Sequence, residues 1–588
     1  MPREIQPYNV VRNSTMLRMA IHRSCFVLII FQTLSAWLLF VGRVDSFQTY
    51  VPQIVASNQR DSHNNFYPLL LSATTKDMDN KMQAAISPQS ILQLSSLFRA
   101  SRALLTAVEL NLFTTLDNCG SMTNDHIRER LHLHERALPD FTDALVSMKL
   151  LERDGNGPTA HYSNSREAAC FLVKGKKTYI QELEACGDIY YRDLIGIIET
   201  LKSEKKDWVD YGYLKSACIR ATEERLKNAR SERNVDDFDT SPEKIIDLGF
   251  GFWPSRLLIS AADIGLFEAL KQAERGTMTS EQVSAAFGLQ SDKAEKFLDA
   301  LVSIKMLSRD GEGDDAAYSN TPETAIFLQK DKFETYVGGM LEHSSQRLYS
   351  HWADLAEALK TGKAQNEAKL RGDSSETTEQ TFDEIYSSPE MVETFAMAMM
   401  GVNARDMKAF ATKFDFSKYK TLADAGGSTG QLCAYVAMEN PHMMCTTLDL
   451  PALIPIAERC IKKWGVSDRV KAVSCDFFKD DFPEVDIITM SKVLHDWNLE
   501  DKLFLIKKAY DALPEGGILV AIELIIDENR RENTLGLLLS LNMLVETGAN
   551  GGFDYTHADF NKWCLQVGFK RTECLPLGGP SSAVIAYK

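Results

Sequence analysis

The sequence predicts an α/β protein: a C-terminal domain on a parallel, doubly wound sheet, preceded by two copies of a mainly helical module. Three observations carry this. From residue 421 onward, β-rich runs alternate with helical stretches, the pattern of a parallel sheet with helices on its faces. Upstream, residues 143–172 and 299–328 are two versions of one sequence, identical at roughly 19 of 30 positions. The length of 588 residues, 44 % hydrophobic and 25 % charged, leaves room for several domains of ordinary globular composition. That composition excludes a mainly disordered or collagen-like chain. A formal charge of −16 provides no basic footprint, so nucleic acid is not an expected partner. The 11 cysteines are scattered without a C-x-x-C pair. No zinc site or disulfide framework is expected, and the odd count points to a reducing final compartment.

Residues 1–24 are arginine-rich, and residues 25–42 (CFVLIIFQTLSAWLLFVG) form an apolar run. A basic start before such a run reads as a signal peptide or signal anchor over 1–46, with Val44 and Ser46 as small residues before a cut at Phe47. The Ser-, Thr- and Asn-rich stretch 47–85 reads as a transit-like or linker segment. Together they resemble a bipartite presequence, which leads through the secretory pathway to a plastid. Retention in the endoplasmic reticulum by an uncleaved anchor is the alternative.

The repeat extends beyond its best-matched part: Ser87-Pro88 answers Ser241-Pro242, and Leu112-Phe113 answers Leu266-Phe267. Two copies of domain size, 86–205 and 241–375, mean a duplicated domain and not a solenoid. In the second copy, apolar residues of 255–270 recur at helical spacing. Thr279 or Ser280 caps a helix that ends at Gly288. A further amphipathic helix follows Ser291-Asp292, then an R-D-G-x-G turn and a short strand, AYSN. This is a winged-helix outline without a basic recognition helix, so packing or dimerisation is the expected role. The charged stretch 206–240 reads as a linker with a solvated helix, long enough as a flexible tether for one copy to reach the other and form a pseudo-dimer within the chain. Residues 361–380 read as a surface loop.

The C-terminal domain (376–588) contains TLADAG, MCTTLDL, VKAVSCDF, VDIITMSKV and GILVAIEL as strands, with a closing hairpin of FKRTECLPL and SAVIAYK. Ligands of such sheets sit at the carboxyl ends of the strands. The first strand ends in Asp424-Ala-Gly426-Gly427-Ser-Thr-Gly430, where glycines let a ligand approach the backbone. This is neither G-x-G-x-x-G nor a phosphate-binding loop, so a pyrophosphate is disfavoured. Asp449 ends the second strand, where a carboxylate can take a ribose diol. Asp476 and Phe477 end the third, offering a polar contact and an apolar face. His495 follows the fourth strand, Glu523 ends the fifth, and Asp554 follows a glycine-rich turn. Histidine flanked by carboxylates makes a general base whose tautomer is fixed and whose imidazolium is stabilised.

The motifs DAGGSTG (424–430), LDLP (448–451), CDFF (475–478), KVLHDW (492–497) and GG-x-D-x-T (551–556) resemble the plant- and animal-type small-molecule O-methyltransferases, a class I S-adenosylmethionine-dependent family. LIIDENRRENTLGLLLSLNMLVETG (524–548) most resembles the acetylserotonin (hydroxyindole) O-methyltransferase branch. The resemblance implies a Rossmann-like methyltransferase domain behind dimerisation modules, and a homodimer or an intramolecular pseudo-dimer. It implies S-adenosylmethionine as methyl donor, no metal, and a small aromatic hydroxyl compound as acceptor. Gly426, Gly427, Asp449, Asp476, Phe477, Lys492 and Tyr386 match cofactor positions. His495 matches the base, Glu523 and Asp554 its flanking acids, and Asn542, Met543 and His343 the acceptor pocket. Ser428 stands where a glycine is usual, and Asp554 where Glu is frequent. A methyltransferase acting on a carboxylate or an amine, and a non-catalytic cofactor-binding scaffold, are the competing readings.

Overall fold

A computed structural model describes residues 87–233, 240–367, 369 and 378–588. The signal or anchor segment (1–46) and the transit-like stretch (47–85) lie outside the described residues. Among the described residues no helix is long and apolar enough to cross a membrane.

The first module opens with helix α1 (Gln89–Glu109) and continues through two shorter helices to α2 (Leu138–Ser147). A small antiparallel sheet closes it, with strands β1 (Met122–Thr123), β2 (Leu151–Asp154) and β3 (His161–Asn164) in the order β1-β3-β2. After the connecting helix α3 (Tyr211–Arg233), the second module repeats this plan. It has α4 (Phe252–Asp263), α5 (Ser291–Ser303), and strands β4 (Thr277–Thr279), β5 (Leu307–Asp310) and β6 (Ala317–Asn320) in the order β4-β6-β5. Thr279 is the helix cap that the sequence predicts, completed by Gln282 reaching back in a capping box. In both modules one aspartate ties the small sheet to its helix. Asp143 accepts from Arg153 at 2.6 Å and Tyr162 at 2.8 Å, and Asp299 accepts from Arg309 at 2.7 Å and Tyr318 at 2.8 Å.

The two modules pack on each other as pseudo-symmetric halves, with α1 against α4. Tyr191 and Tyr349, equivalent in the repeat, stack with centroids 4.4 Å apart and planes at 8°. Each phenol donates to the other's backbone carbonyl, at 3.1 and 3.3 Å. Ser101 donates to Gly249 O at 2.8 Å, and its counterpart Ser255 to Leu94 O at 2.5 Å. Such reciprocity is the mark of an isologous interface, realised here inside one chain. The connection is not the flexible tether that its composition suggests. Tyr211, Cys218 and Leu226 of α3 are buried, and ion pairs Arg225–Glu182 and Lys215–Asp247 hold its flanks. Spacings of seven and eight residues put those three on one face.

The C-terminal sheet has seven strands: β7 (Thr421–Ala425), β8 (Met444–Asp449), β9 (Val470–Ser474), β10 (Ile487–Ser491), β11 (Ile518–Glu523), β12 (Arg571–Pro576) and β13 (Ser582–Tyr587). Their order is β12-β13-β11-β10-β7-β8-β9. Strands β7 to β11 are parallel, with β9 at one edge, and β12 and β13 form the antiparallel hairpin at the other. Every residue of β10 and β11 is buried, as expected where helices cover both faces of a parallel sheet. The chain leaves β7 towards β8 and β9, then returns to β10 on the other side. That reversal opens a crevice at the carboxyl ends of β7 and β10. Helix α6 (Gln431–Glu439) follows β7, and α7 (Thr534–Thr547) follows β11. The apolar face of α7, including Leu537, Leu541 and Val545, joins one core with both modules. It is the structural joint between them and the sheet.

Candidate active site

The loop after β7 is folded back onto the end of β8. The amides of Gly426 and Gly427 both donate to Leu448 O, at 2.9 and 3.1 Å. Gly426 has φ 73°, and a Cβ there would lie 2.6 Å from Val493 Cγ2, so only glycine fits. Ser428 also adopts a left-handed conformation, φ 48°, which explains why glycine suits that position and shows that serine tolerates it. The Ser428 amide donates to Asp449 Oδ2 at 2.7 Å, and the Leu450 amide to Asp449 Oδ1 at 2.8 Å. Burial raises the Asp449 carboxyl to about 6 against those two amides. Burial likewise lifts Asp424, behind the loop, to about 7.

Ser428 Oγ, Thr447 Oγ1 and Asp424 Oδ2 are buried without a hydrogen-bond partner among the described residues. Native interiors rarely leave such atoms unpaired. A ligand bearing hydroxyl and amino groups fits this cradle, and S-adenosylmethionine is one. Asp476 sits at the rim, accepting from Phe478 N at 3.0 Å and Lys479 Nζ at 2.7 Å. Phe477 packs edge-on against Trp497, centroids 5.9 Å apart. Tyr386 lies within electrostatic reach of both Asp449 and Asp496, and burial with those acids pushes its phenol well above the usual range. Lys492 departs from expectation. Its ammonium donates to Ser581 Oγ at 3.3 Å, beside β13, on the far side of β10 from the glycine loop. Its backbone adopts φ 56°, and its charge remains within electrostatic reach of Glu523.

His495 lies on a tight turn after β10, Glu523 at the last residue of β11, and Asp554 in the loop after α7. All three are buried, and one ligand-type atom from each falls within 4.8 Å of the others. His495 Nδ1 is 3.6 Å from Asp554 Oδ1, and Nε2 is 3.3 Å from Asp496 Oδ1. Asp496 is a third acid that the sequence reading missed. Its only signal was adjacency to His495, and neighbours on a chain usually point apart. Burial alone would lower the imidazole, but Asp496, Glu523 and Asp554 outweigh it and raise His495 to about 10. Burial raises Asp496 to about 7 in spite of the imidazole. Gly552 lets the acid-bearing loop touch the histidine turn, since a Cβ there would lie 2.2 Å from His495 O.

The expected acceptor-pocket residues cluster on α7 and near the second module, but Asn542 is already engaged. Its Oδ1 accepts from Trp352 Nε1 at 2.8 Å and Arg99 Nε at 3.4 Å, and its Nδ2 donates to Glu546 at 2.6 Å. Met543 is buried beside it. His343 packs edge-on against Phe395 at 5.6 Å, and burial lowers it to about 4, so it is neutral at physiological pH. Arg99, Trp352 and Glu546 were not foreseen. Arg99 lies 443 residues from Asn542, and only the folded duplication brings them together.

Comparison with known proteins agrees with this geometry. The O-methyltransferase domain profile matches residues 352–570, and the O-methyltransferase dimerisation domain matches twice, at 92–174 and 246–330. The tetracenomycin polyketide synthesis 8-O-methyl transferase TcmO of Streptomyces glaucescens is 33 % identical over 347 residues, 59 % of this chain and 97 % of that protein. Acetylserotonin O-methyltransferase of Bos taurus is 31 % identical, covering 58 % of this chain and 95 % of that protein. The crystal structure of human N-acetylserotonin methyltransferase in complex with S-adenosylmethionine superposes with a TM-score of 0.54 at 28 % identity, covering 60 % of this chain and 99 % of that one. With its glycine cradle closed on Asp449 and a domain plan shared almost end to end with these relatives, the chain belongs to the S-adenosylmethionine-dependent O-methyltransferase family, with the family's dimerisation domain present twice.

Proposed function

We propose that the enzyme methylates the hydroxyl of a small aromatic acceptor, a hydroxyindole such as N-acetylserotonin or a phenolic, with His495 as general base. The observation that carries this is the buried imidazole ringed by Asp496, Glu523 and Asp554 beside the cofactor cradle. An aromatic hydroxyl has a pKa near ~10, and the three acids raise His495 to about 10 as well. A base strengthened in this way takes the acceptor's proton more readily once it is itself neutral. The acids then hold the imidazolium that forms. Bound S-adenosylmethionine supplies an activated sulfonium methyl. Asp449 would bind its ribose hydroxyls, Gly426 and Gly427 would let it lie against the backbone, and Asp476, Phe477 and Tyr386 would flank it. Buried Met543, Trp352 and the neutral His343 would give the acceptor an apolar slot. Curated relatives named for aromatic acceptors, among them a 3-hydroxy-5-methyl-1-naphthoate 3-O-methyltransferase of Streptomyces sahachiroi at 26 % identity, support the acceptor class.

A second reading has its own support: a relative at 31 % identity is named an N,N-dimethyltransferase, OxyT of Streptomyces rimosus. A labelled-methyl screen of hydroxyindoles, phenols and aromatic amines separates the two. With a hydroxyl acceptor, His495→Ala should lower turnover by roughly 10²–10⁴ and leave S-adenosylmethionine binding intact by calorimetry. Loss of cofactor binding would make His495 structural, and full activity would end its role as base. Turnover is expected to survive chelation, because no metal enters this scheme. The intramolecular packing of the two modules supports a single-chain pseudo-dimer. The N-terminal segment supports entry into the secretory pathway, leading on to a plastid.

A further inference from the structure

We propose that the first module is a working part of the active centre: its Arg136–Asp140 pair positions the 548–554 loop, and so sets Asp554 against His495. This rests on reading Asp554 as a partner of the base. Both carboxylate oxygens of Asp554 lack a hydrogen-bond partner among the described residues, so its placement depends on its backbone. That backbone is tied to the first module by a buried relay. The Asp554 amide donates to Ser540 Oγ at 3.1 Å, and Ser540 Oγ donates to Asp140 Oδ2 at 2.7 Å. Arg136 Nη1 donates to the same Asp140 oxygen at 2.6 Å, and Arg136 Nη2 to Gly552 O at 3.2 Å. The Arg136 guanidinium also lies over the Phe553 ring at 5.1 Å, with Lys502 Nζ 3.5 Å from the same ring. Arg530 completes the clamp, donating to Asp140 at 2.5 Å and to Asp143 at 2.6 Å. Gly552, Phe553 and, through Ser540, the Asp554 amide are therefore held from the first module.

The duplication provides an internal control. At the repeat shift of 156, Asp143, Arg153 and Tyr162 have identical counterparts in Asp299, Arg309 and Tyr318. Arg136 and Asp140, by contrast, answer to Asp292 and Lys296. The charges are reversed, and Lys296–Asp292 is an exposed pair at 3.4 Å. With the pair reversed, the ammonium in the place of Asp140 would meet Arg530 with like charge and could accept nothing from Ser540, and the carboxylate in the place of Arg136 could donate nothing to Gly552 O. The second module of another chain could not fill this seat, so the loop depends on the first module in cis.

Hydrogen exchange on the full chain tests the proposal without any ligand. In Ser540→Ala, and independently in Asp140→Ala, the Asp554 amide should exchange about tenfold faster, as losing one hydrogen bond predicts. Ser540→Thr, which keeps the hydroxyl, should restore protection. With N-acetylserotonin as acceptor, kcat should fall by up to about 10²-fold, the effect of displacing a catalytic group by about 1 Å, while S-adenosylhomocysteine affinity stays constant. Ser540→Ala leaves the ion pairs in place, so it remains informative if Asp140→Ala does not fold. Unchanged exchange of residues 550–556 in Ser540→Ala would overturn the proposal even if Asp554→Asn were inactive. Full turnover in Asp554→Asn, with the loop still loosened by Ser540→Ala, would instead overturn the reading of Asp554 on which the proposal rests.

Discussion

The acids around His495 dictate how turnover should depend on pH. A base that takes a proton must start neutral, and His495 is raised to about 10 by Asp496, Glu523 and Asp554 acting against burial. The rate of the chemical step should therefore climb through neutrality and level off in the alkaline range. The apparent value belongs to the imidazole and its acids jointly. Asp554→Asn removes one charge 3.6 Å from Nδ1. At an effective dielectric constant near 20, a charge pair at that distance is worth about 4–5 kcal/mol, equivalent to a ceiling of about three pH units. The rising limb should accordingly move acidward by about one to three pH units in the variant. Rapid-mixing methyl transfer from labelled donor between about pH 5 and 11 isolates the chemical step from product release. A limb near 6.5, the ordinary histidine value, in wild type and variant alike would refute the idea that these acids act on the base. Stability carries the same sign. The folded value lies above the unfolded one, so the imidazolium–carboxylate attraction contributes fully below about 6.5 and is lost as pH rises towards the folded value.

Asp449→Ala should weaken S-adenosylmethionine binding by roughly 1.5–3 kcal/mol, the worth of a charged acceptor; an unchanged dissociation constant in calorimetry would remove Asp449 from the site. Arg530→Met removes one of two cations from each of the buried carboxylates Asp140 and Asp143, which keep Arg136 and Arg153, and should cost roughly 1.5–3 kcal/mol in urea unfolding. Burial would raise Asp140, but Arg136, Arg530 and Ser540 hold it below its ordinary value, so the wild-type advantage should be full above that ordinary value and be lost as pH falls below it through the lower folded value. Sedimentation of the intact chain should give one mass of 66.0 kDa in place of twice that value. Residues 1–80 fused to a fluorescent protein should enter the secretory pathway, and diffuse cytosolic signal would refute that reading.

The legible parts of the sequence were those where one segment decides its own environment. Strands β10 and β11 announced themselves because a strand buried on both faces needs a largely apolar run, and β7 to β9 through β-rich runs spaced by helices. Asp449, His495 and Glu523 were findable because topology gathers the carboxyl ends of parallel strands at one edge. What stayed hidden was decided between segments. Lys492 sits at a strand end like the others, yet its long side chain reaches across β11 to Ser581, a choice set by the neighbours and not by the strand. Asn542 matched a pocket motif, but its amide also engages Trp352, Arg99 and, on its own helix, Glu546. The connecting helix reads as solvated because charged residues outnumber its buried ones. Tyr211, Cys218 and Leu226 are too few to mark a face until the modules that cover them are in place.

The two modules separate what their fold requires from what their position requires. Residues that hold each module together, such as Asp143 with Arg153 and Tyr162, are the same in both copies. So are the pairs that face each other across the pseudo-symmetric interface, Ser101 with Ser255 and Tyr191 with Tyr349. Among the many differences, some fall where the first module meets α7 and the loop after it. Arg99 stands opposite Asn542, whereas its counterpart Trp253 packs on Tyr211 at 6.4 Å; Arg136 and Asp140 engage the catalytic loop, whereas Asp292 and Lys296 face solvent. Buried charges at a joint are tolerated only where each has a partner, and those partners, Arg530, Ser540 and Gly552, lie in the methyltransferase domain. The first module is thus fitted to that domain in particular, and the active centre spans three separate stretches of one chain.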